Sequence, residues 1–260
     1  MSFSNVCVVD LETTFMRKGL KRGDTFILSI GAIDLYSSRV FHCFVKPTNI
    51  EDEEDLYDYF SRNGVRLEAS KNTMKKIGYD FNTALPLTTA SLLFKEFTEN
   101  DPILIAHNGK SFDFPILEAN FNLRLSTRFH LTFRGLDSYH NISKKIFFHL
   151  NSHKLSHVYS AVVKNKNKNI KWHTALDDSK ALKQIVIEAA KRVAIKNAQE
   201  VFKELYMDIN KMYEVNCIQD APISNKTIKK FKSYLQQNEV HDIFMNKILK
   251  YAIKYFIFLK

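Results

Sequence analysis

Residues 6–14 have the sequence VCVVDLETT, an apolar and β-branched run that ends in two acids. Such a run is typical of a buried strand whose C-terminal end carries functional groups. Asp10 and Glu12 are two residues apart, so their carboxylates point to the same face of the strand. Side by side they repel each other and need a cation. Ligands that are all oxygen atoms favour Mg²⁺ or Mn²⁺ over Zn²⁺.

The segments around this strand indicate an α/β fold. Further strands are predicted at residues 26–36, 39–46, 103–107 and 135–138, with a hairpin turn between the first two of these. Helices are predicted at residues 71–77, 88–99 and 154–163, and after Asp113 and Thr174. Three strands followed by mixed helices and strands are typical of an α/β sandwich.

Two further expectations concern the middle of the chain. Residues 48–70 are predicted to form a loop, and the acidic run at 51–59 (EDEEDLYDY) to be a solvated surface segment away from any nucleic-acid groove. The helix at 88–99 is predicted to bury Leu92, Leu93, Phe94 and Phe97.

Composition indicates the class of partner. The chain has 260 residues, 45% of them hydrophobic, which suffices for one large domain or one domain with an appendage. Its formal net charge is +10. Residues 1–160 hold 19 basic and 18 acidic side chains, whereas residues 161–260 hold 19 and 10, so the excess lies in the last 100 residues. A basic excess favours a polyanionic partner.

The cysteines and the apolar segments indicate a compartment. Cys7, Cys43 and Cys217 are scattered and form no zinc pattern, which suits a reducing environment. The early strand does not fit a signal peptide, and the longest apolar stretch is short and interrupted by lysines. We therefore expect an intracellular protein, cytoplasmic or nuclear and not secreted, with no membrane span.

Two further segments of the chain contain candidate functional side chains. Asp113 lies in AHNGKSFDF, and His173 and Asp178 lie in HTALDD. Each has an ordinary explanation when taken alone. Asp113 suits the N-cap of the helix that carries Pro115. His173 suits an exposed position before a helix, and Asp178 suits a first-turn acid that interacts with the helix dipole.

Taken together, these segments and the first strand resemble the motifs of a known family. The runs VVDLETT, AHNGKSFDFPIL and HTALDDSKAL resemble the three motifs of the DnaQ-like, or DEDDh, 3′–5′ exonucleases, and the resemblance covers residues 5–193. The third motif is a histidine, four residues and an aspartate, which selects Asp178 over Asp177. The resemblance implies a ribonuclease H-like mixed sheet flanked by helices in residues 1–195. Residues 196–260 would then be a helical C-terminal extension or a small accessory module.

The resemblance also implies a reaction and its cofactors. Two divalent ions, Mg²⁺ or Mn²⁺, would be held by Asp10 (both ions), Glu12 and Asp178 (the ion with the attacking water) and Asp113 (the second ion). His173 would take the proton of that water. The implied function is a 3′–5′ exonuclease that releases nucleoside 5′-monophosphates, with DNA as the preferred substrate. The alternatives are an exoribonuclease that trims RNA and a non-catalytic nucleic-acid-binding module, against which the complete set of five residues argues.

The expected partner is single-stranded nucleic acid, or the 3′ ends of DNA or RNA. By resemblance, Thr13 and Thr14 should contact the 3′-terminal nucleotide, and His107, Asn108 and Phe112 should line its approach. Leu11 is added to this substrate-binding set, and packing at the strand ends is the alternative for any one member. Phe15 departs from the family, which usually has glycine after the two threonines.

The loop before His173 and the C-terminus leave alternatives open. Residues 164–171 (KNKNKNIK) are either a solvated loop or a flexible arm whose lysines, Lys168 and Lys171 among them, bind the phosphate backbone. Trp172 either packs at the base of this loop or stacks on a base. Residues 248–260 are expected to form a helix that docks on the core, binds a protein partner or a membrane surface, or belongs to a nucleic-acid-binding module.

Overall fold

The computed structural model describes residues 5–19, 24–99, 101–125, 130–164, 166, 169–198, 200–201, 225–236 and 242–258. The strands are β1 (Val6–Thr13), β2 (Ile27–Asp34), β3 (Val40–Lys46), β4 (Leu85–Pro86), β5 (Ile103–Ala106) and β6 (Arg134–Asp137). The helices are α1 (Glu53–Arg62), α2 (Leu67–Ile77), α3 (Leu87–Thr98), α4 (Asp113–Leu117), α5 (Lys144–Ile146), α6 (Leu155–Val162), α7 (Ala175–Lys196), α8 (Asn225–Gln236) and α9 (Asp242–Phe258). The π-helical turns Glu118–Leu123 and Tyr139–Ser143 continue α4 and precede α5.

The strands form one mixed sheet in the order β4-β3-β2-β1-β5-β6. The first three strands pair antiparallel, as a hairpin of β2 and β3 added to β1. On its other side β1 pairs parallel with β5, which pairs parallel with β6. Helices flank this sheet. The architecture confirms the predicted ribonuclease H-like mixed sheet, and it places β1 next to the point where the sheet changes from antiparallel to parallel.

The two faces of β1 have different neighbours. Val6 and Val8 belong to a buried cluster with α6 and α7, whereas Val9 and Leu11 belong to a second cluster with α3 and α4. Because side chains alternate along a strand, the face of Val6 and Val8 continues into Asp10 and Glu12. The acids therefore lie on the face of the sheet that α7 covers.

The N-terminal end of α7 meets the sheet at a glycine. Gly31 on β2 pairs with Asp10 on β1. A Cβ added at Gly31 would lie 2.3 Å from the carbonyl carbon of Ala175, the first residue of α7. In addition, the Ser179 hydroxyl donates a hydrogen bond of 2.9 Å to the Gly31 carbonyl oxygen. The helix therefore begins directly against the strand beside Asp10.

The prediction of a loop at 48–70 is wrong, because α1 and the start of α2 lie there. Asp52 is the N-cap of α1 and its side chain accepts a hydrogen bond of 2.7 Å from the Asp55 amide. Leu56 and Phe60 are fully buried while the acids face solvent. Two apolar residues, i and i+4, anchor the helix.

The prediction for the helix at 88–99 is correct in position and partly wrong in its buried side. Phe94 is fully buried and Phe97 is packed against the core, but Leu92 and Leu93 are 49% and 41% exposed. Leu87, Ala90, Ser91 and Thr98 complete the buried face of α3. The buried face of α3 therefore includes small and polar side chains, which a search for large apolar residues does not detect.

The helices α8 and α9 pack onto the core. Phe231 and Leu235 of α8 and Ile248 and Phe256 of α9 are buried in the same cluster as Val6. This packing corresponds to the docked-helix alternative for the C-terminus. The predicted helical segment before α8 lies mostly outside the described residues, and the domain division at 195/196 stays a prediction. Within the described ranges, no helix has the length and apolar character that a bilayer span requires.

Replacement of Gly31 by alanine tests the contact between β2 and α7. The new methyl group meets backbone atoms that no rotamer change can move, so we expect the free energy of unfolding to fall by about 1–3 kcal/mol. Equilibrium unfolding in urea measures the loss. Val40→Ala, at a position 48% exposed on β3, is the control and should cost less. An unfolding free energy equal to that of the wild-type chain in Gly31→Ala would contradict the contact.

Candidate active site

Three carboxylates converge where β1 ends and α7 begins. Asp10 and Glu12 come from β1 and Asp178 from the first turn of α7. One carboxylate oxygen of each lies within 4.8 Å of the others, a spacing that suits a shared metal ion. The neighbouring acid, Asp177, points elsewhere and forms an ion pair of 2.8 Å with Lys180.

The fourth acid, Asp113, lies beside this group and is only 2% exposed. It is the first residue of α4, and the N-cap position belongs to Phe112. Its Oδ1 accepts a hydrogen bond of 3.2 Å from the Leu11 amide, between Asp10 and Glu12 in sequence. The simple N-cap explanation for Asp113 is therefore wrong, because the side chain is directed at β1.

An aromatic ring fixes the start of α4. Phe114, next to Asp113, lies against two glycines, Gly109 and Gly135, where an added Cβ would come within 2.7 Å and 2.6 Å of the ring. The Phe114 amide donates a hydrogen bond of 3.0 Å to the Gly109 carbonyl oxygen. Both glycines therefore serve to position Asp113, a role that their sequence neighbourhood alone does not indicate.

Burial and mutual repulsion raise the pKa of every acid in the group. For Asp10 the pKa is raised well above its usual value by burial and then by the charges of Asp113, Asp178 and Glu12. Burial, with the charge of Asp178, raises the pKa of Glu12 to about 7. Burial raises the pKa of Asp113 to about 7 and that of Asp178 to about 6. A compact set of oxygen ligands in this state fits a hard divalent cation, which would remove the repulsion.

His173 stands next to the acids in a constrained backbone conformation. Its φ is +64°, and its amide donates hydrogen bonds of 3.3 Å to both carboxylate oxygens of Asp178. Burial and then the charge of Lys76 lower the pKa of the imidazole. A neutral imidazole therefore predominates at pH 7, so the side chain is able to accept a proton.

An open cleft of about 360 Å³ gives access to these groups. Four residues predicted to bind substrate line it, together with Asp10, Glu12, His173 and Asp178; these four are Leu11, Thr13, Thr14 and Phe112. The predicted residues His107, Asn108 and Lys171 are not among its lining residues. Lys168 lies outside the described residues.

His107 and Asn108 support the site instead of lining it. The Nδ1 of His107 pairs with the Ser138 hydroxyl at 3.0 Å, and its Nε2 with the His153 carbonyl oxygen at 2.8 Å. The Asn108 amide donates a hydrogen bond of 3.1 Å to Asp137 Oδ1. Asp137 is fully buried as the last residue of β6 and belongs to none of the three motifs; its position at the C-terminal end of a strand is the only signal that the sequence offers.

Phe15, which replaces the family glycine, lines the cleft and is 49% exposed. Its backbone is tied to α2: the amide donates to Ser70 Oγ at 3.0 Å, and its carbonyl oxygen accepts from the Arg66 amide at 2.6 Å. Met16 continues this pairing through a bridge to Val65. The chain beyond β1 is thus attached to the turn between α1 and α2, which brings α2 to the cleft.

The base of the lysine-rich loop is held by α7 and α6. The Lys171 amide donates a hydrogen bond of 3.1 Å to Asp177 Oδ2. Trp172 packs against the core, edge-on to Tyr159 with 5.6 Å between ring centroids, as the packing alternative predicted.

Comparison with known proteins places the chain in a family. A family model described as exonuclease, of the RNase T type, matches residues 7–186. The chain belongs to this exonuclease family, and the match confirms the resemblance seen in its three motifs. It is therefore an exonuclease enzyme. No curated protein matches the chain in sequence.

Several solved structures are similar to the chain at low sequence identity. The zinc-bound crystal structure of an E. coli ExoI–ssDNA complex matches with a TM-score of 0.50 and 12% identity, over 78% of this chain and 43% of that one. The RNase domain of the yeast Pop2 protein matches at 0.42 and 9%, over 75% and 78% of the two chains. A full-length 3′-exonuclease matches at 0.45 and 13%, over 76% and 84%. The present chain spans less than half of the ExoI chain, and that match supports the shared fold.

Removal of one acid should stabilise the metal-free chain. The raised pKa values mean that the folded chain binds more protons than the unfolded chain between about pH 4 and pH 7, so the free energy of unfolding falls as pH rises through that window. In chelator, Asp10→Asn should therefore raise the melting temperature at pH 8 and change it little at pH 4. Thermal melts at both pH values measure the effect.

The same melts with Mg²⁺ complete the comparison. Mg²⁺ should stabilise the wild-type chain at pH 8 and should not stabilise Asp10→Asn, because the neutral amide is a poor replacement for a shared ligand. Asp58→Asn, an exposed acid on α1, is the matched control and should behave as the wild-type chain. A metal-free melting temperature of Asp10→Asn that is lower at pH 8 than that of wild type would contradict this account.

Proposed function

We propose that the chain is a 3′–5′ exonuclease that hydrolyses the last phosphodiester of a nucleic acid and releases a nucleoside 5′-monophosphate. The observation that carries the proposal is the convergence of Asp10, Glu12 and Asp178 in an open cleft, with Asp113 beside them and His173 at the rim. The family membership supports the reaction class, and the four carboxylates support a metal-dependent reaction.

In this proposal the carboxylates are the metal ligands. Asp10 would take part in holding both of two ions, Glu12 and Asp178 would complete the ligands of one, and Asp113 would help to hold the other. When bound, Mg²⁺ or Mn²⁺ supplies Lewis-acid activation of the attacking water and of the leaving oxygen. The hydrogen bond from the Leu11 amide keeps Asp113 oriented toward β1 before any ion binds.

His173 is the proposed general base. Its imidazole takes a proton from the attacking water, whose oxygen forms a bond to the terminal phosphorus. The bond between that phosphorus and the 3′-oxygen of the preceding nucleotide breaks, and the 3′-oxygen takes up a proton. The φ of +64° and the amide hydrogen bonds to Asp178 hold the His173 backbone at the cleft while its side chain stays exposed.

We propose single-stranded DNA as the preferred substrate. The ExoI structure named above is a complex with ssDNA, and the cleft of the present chain is open and lined by Thr13, Thr14 and Phe112. Thr13 and Thr14 would hold the terminal nucleotide, and Phe15 offers a half-exposed ring beside it. The lysines of residues 164–171 would hold the backbone upstream, which makes binding sensitive to salt.

A cleavage time course tests the proposed reaction. Oligonucleotides of DNA and RNA, single- and double-stranded, carry a label at the 5′ end and are incubated with Mg²⁺, Mn²⁺ or chelator. We expect a ladder that shortens one nucleotide at a time from the 3′ end of single-stranded DNA, with no product in chelator or with Asp10→Asn. Asp58→Asn should cleave as the wild-type chain does. Shortening from the 5′ end, or activity retained in Asp10→Asn, would exclude the proposed site.

Loss of the proposed base should slow turnover and leave binding intact. His173→Ala should lower kcat by about 10²–10⁴-fold with little change in KM, because the base acts on the water and not on the substrate. His149→Ala, an exposed histidine away from the cleft, is the control. A kcat in His173→Ala within a factor of two of the wild-type value would contradict the assignment.

A further inference from the structure

The segment between β6 and α7 contains no acidic residue. Its flanking acids are Asp137, the last residue of β6, and Asp177, in the first turn of α7. Between them, residues 138–176 include seven lysines and no aspartate or glutamate. By contrast, residues 47–78, which contain α1 and α2, include seven acids and five basic residues. The two segments therefore differ in the sign of their charge.

The acid-free segment begins beside the carboxylates. The parallel register pairs Val8 with Ile105, so Asp10 and His107 lie at the same level two residues further along their chains. Ile105 shares the buried cluster of Val8, and alternation therefore places His107 on the face of the sheet that carries Asp10. The His107 imidazole pairs with the Ser138 hydroxyl at 3.0 Å. This contact joins the first residue of the segment to the level of the site.

Tyr139 is the centre of a group of rings and a cation. The rings of His107, His140 and His153 lie edge-on to it, with 5.6, 4.9 and 6.2 Å between the ring centroids. The Lys144 ammonium lies over the Tyr139 ring, 4.5 Å from its centroid. Both His140 and Lys144 are exposed. The group therefore presents a basic and aromatic surface to solvent next to His107.

Two more exposed lysines adjoin this group. Lys154 directly follows His153, whose Nδ1 pairs with the Ser143 hydroxyl at 2.8 Å. The Lys110 amide donates a hydrogen bond of 3.2 Å to Asp137 Oδ2, which attaches this lysine's loop to the end of β6. Asp137 itself is fully buried and accepts from backbone amides, so it adds no exposed negative charge.

The helices α1 and α2 lie on the other side of β1. Leu28 of β2 is buried with Leu56 of α1 and Met74 of α2, and in the sheet β2 and β6 lie on opposite sides of β1. The helix α1 exposes four acids, which are Glu53, Glu54, Asp55 and Asp58. A phosphate backbone is repelled by these carboxylates and attracted by the lysines next to β6.

We propose that the surface formed by Lys110, Tyr139, His140, Lys144 and Lys154, which we call the basic wall, binds the single strand of nucleic acid that leads to the cleft. The inference rests on the proposed function and adds a direction to it: upstream of the cleaved bond, the strand lies over the β6 side and not over α1 and α2. Ammonium groups bind phosphates through charge, and exposed rings stack on bases of any sequence. This combination favours a single strand over an acidic protein segment, which has no bases to stack.

The test compares two double variants that each remove two exposed lysines. Lys144→Gln with Lys154→Gln changes the basic wall. Lys71→Gln with Lys75→Gln changes α2 and is the matched control, because Lys71 also lies over a tyrosine ring, that of Tyr57. The dissociation constant for a fluorescent single-stranded DNA of about 20 nucleotides is measured by anisotropy in chelator, over a series of salt concentrations.

We expect the basic-wall variant to bind the DNA more weakly at low salt. The slope of log affinity against log salt concentration should become shallower by about 1.4, which is about 0.7 for each lost phosphate contact. The control variant should bind as the wild-type chain does. In the cleavage assay with Mg²⁺, the basic-wall variant should have a higher KM and an unchanged kcat, because its contacts do not involve the reacting phosphate.

The outcomes separate this inference from the proposed function. If the two double variants lose affinity equally, or not at all, the inference is overturned and the proposed function is unaffected. If the control variant shows the larger loss, the strand lies over α2 and the proposed direction is overturned. If the basic-wall variant alone loses affinity but the wild-type chain cleaves no oligonucleotide, the binding surface stands and the proposed reaction is overturned.

Discussion

The backbone contact between Gly31 and the first residue of α7 is the constraint on which the candidate site depends. Gly31 lies beside Asp10 in the sheet, and the helix begins against it with no side chain between the two backbones. Asp178 follows within one turn, so the distance between strand and helix sets the distance between carboxylates. The Ser179 hydrogen bond to Gly31 fixes the same approach. A larger residue at position 31 would separate the ligands before it affected any of them directly.

Repulsion between the carboxylates of the site lowers the stability of the fold, and packing elsewhere in the structure must compensate for it. Four acids are partly or fully buried around one end of β1, and burial is the largest cause of each raised pKa. The apolar clusters on both faces of β1 provide the stability that keeps them together, since β1 itself is buried from Val6 to Val9. Without a cation, the repulsion between these acids lowers the stability of the fold, and a bound cation would remove it. This property distinguishes a functional site from a packed core.

Much of this could be predicted from the sequence, for identifiable reasons. The order of strands and helices, the common face of Asp10 and Glu12, and the choice of Asp178 over Asp177 follow from periodicity and motif spacing, which are local. The supporting roles of His107 and Asn108 could not be predicted, because they depend on Asp137, Ser138 and His153 from other segments. The helix α1 was also not predicted, because its run of acids indicates a solvated loop and only two of its residues are apolar and buried.

The most direct test of the account is the position of bound metal. Crystals of the chain grown with Mn²⁺ would show by anomalous scattering where the ion lies, with no assumption about substrate or activity. The account predicts a peak at about 2.0–2.3 Å from carboxylate oxygens of Asp10, Glu12 and Asp178. A fully occupied Mn²⁺ site elsewhere, with no peak among these three side chains, would contradict it.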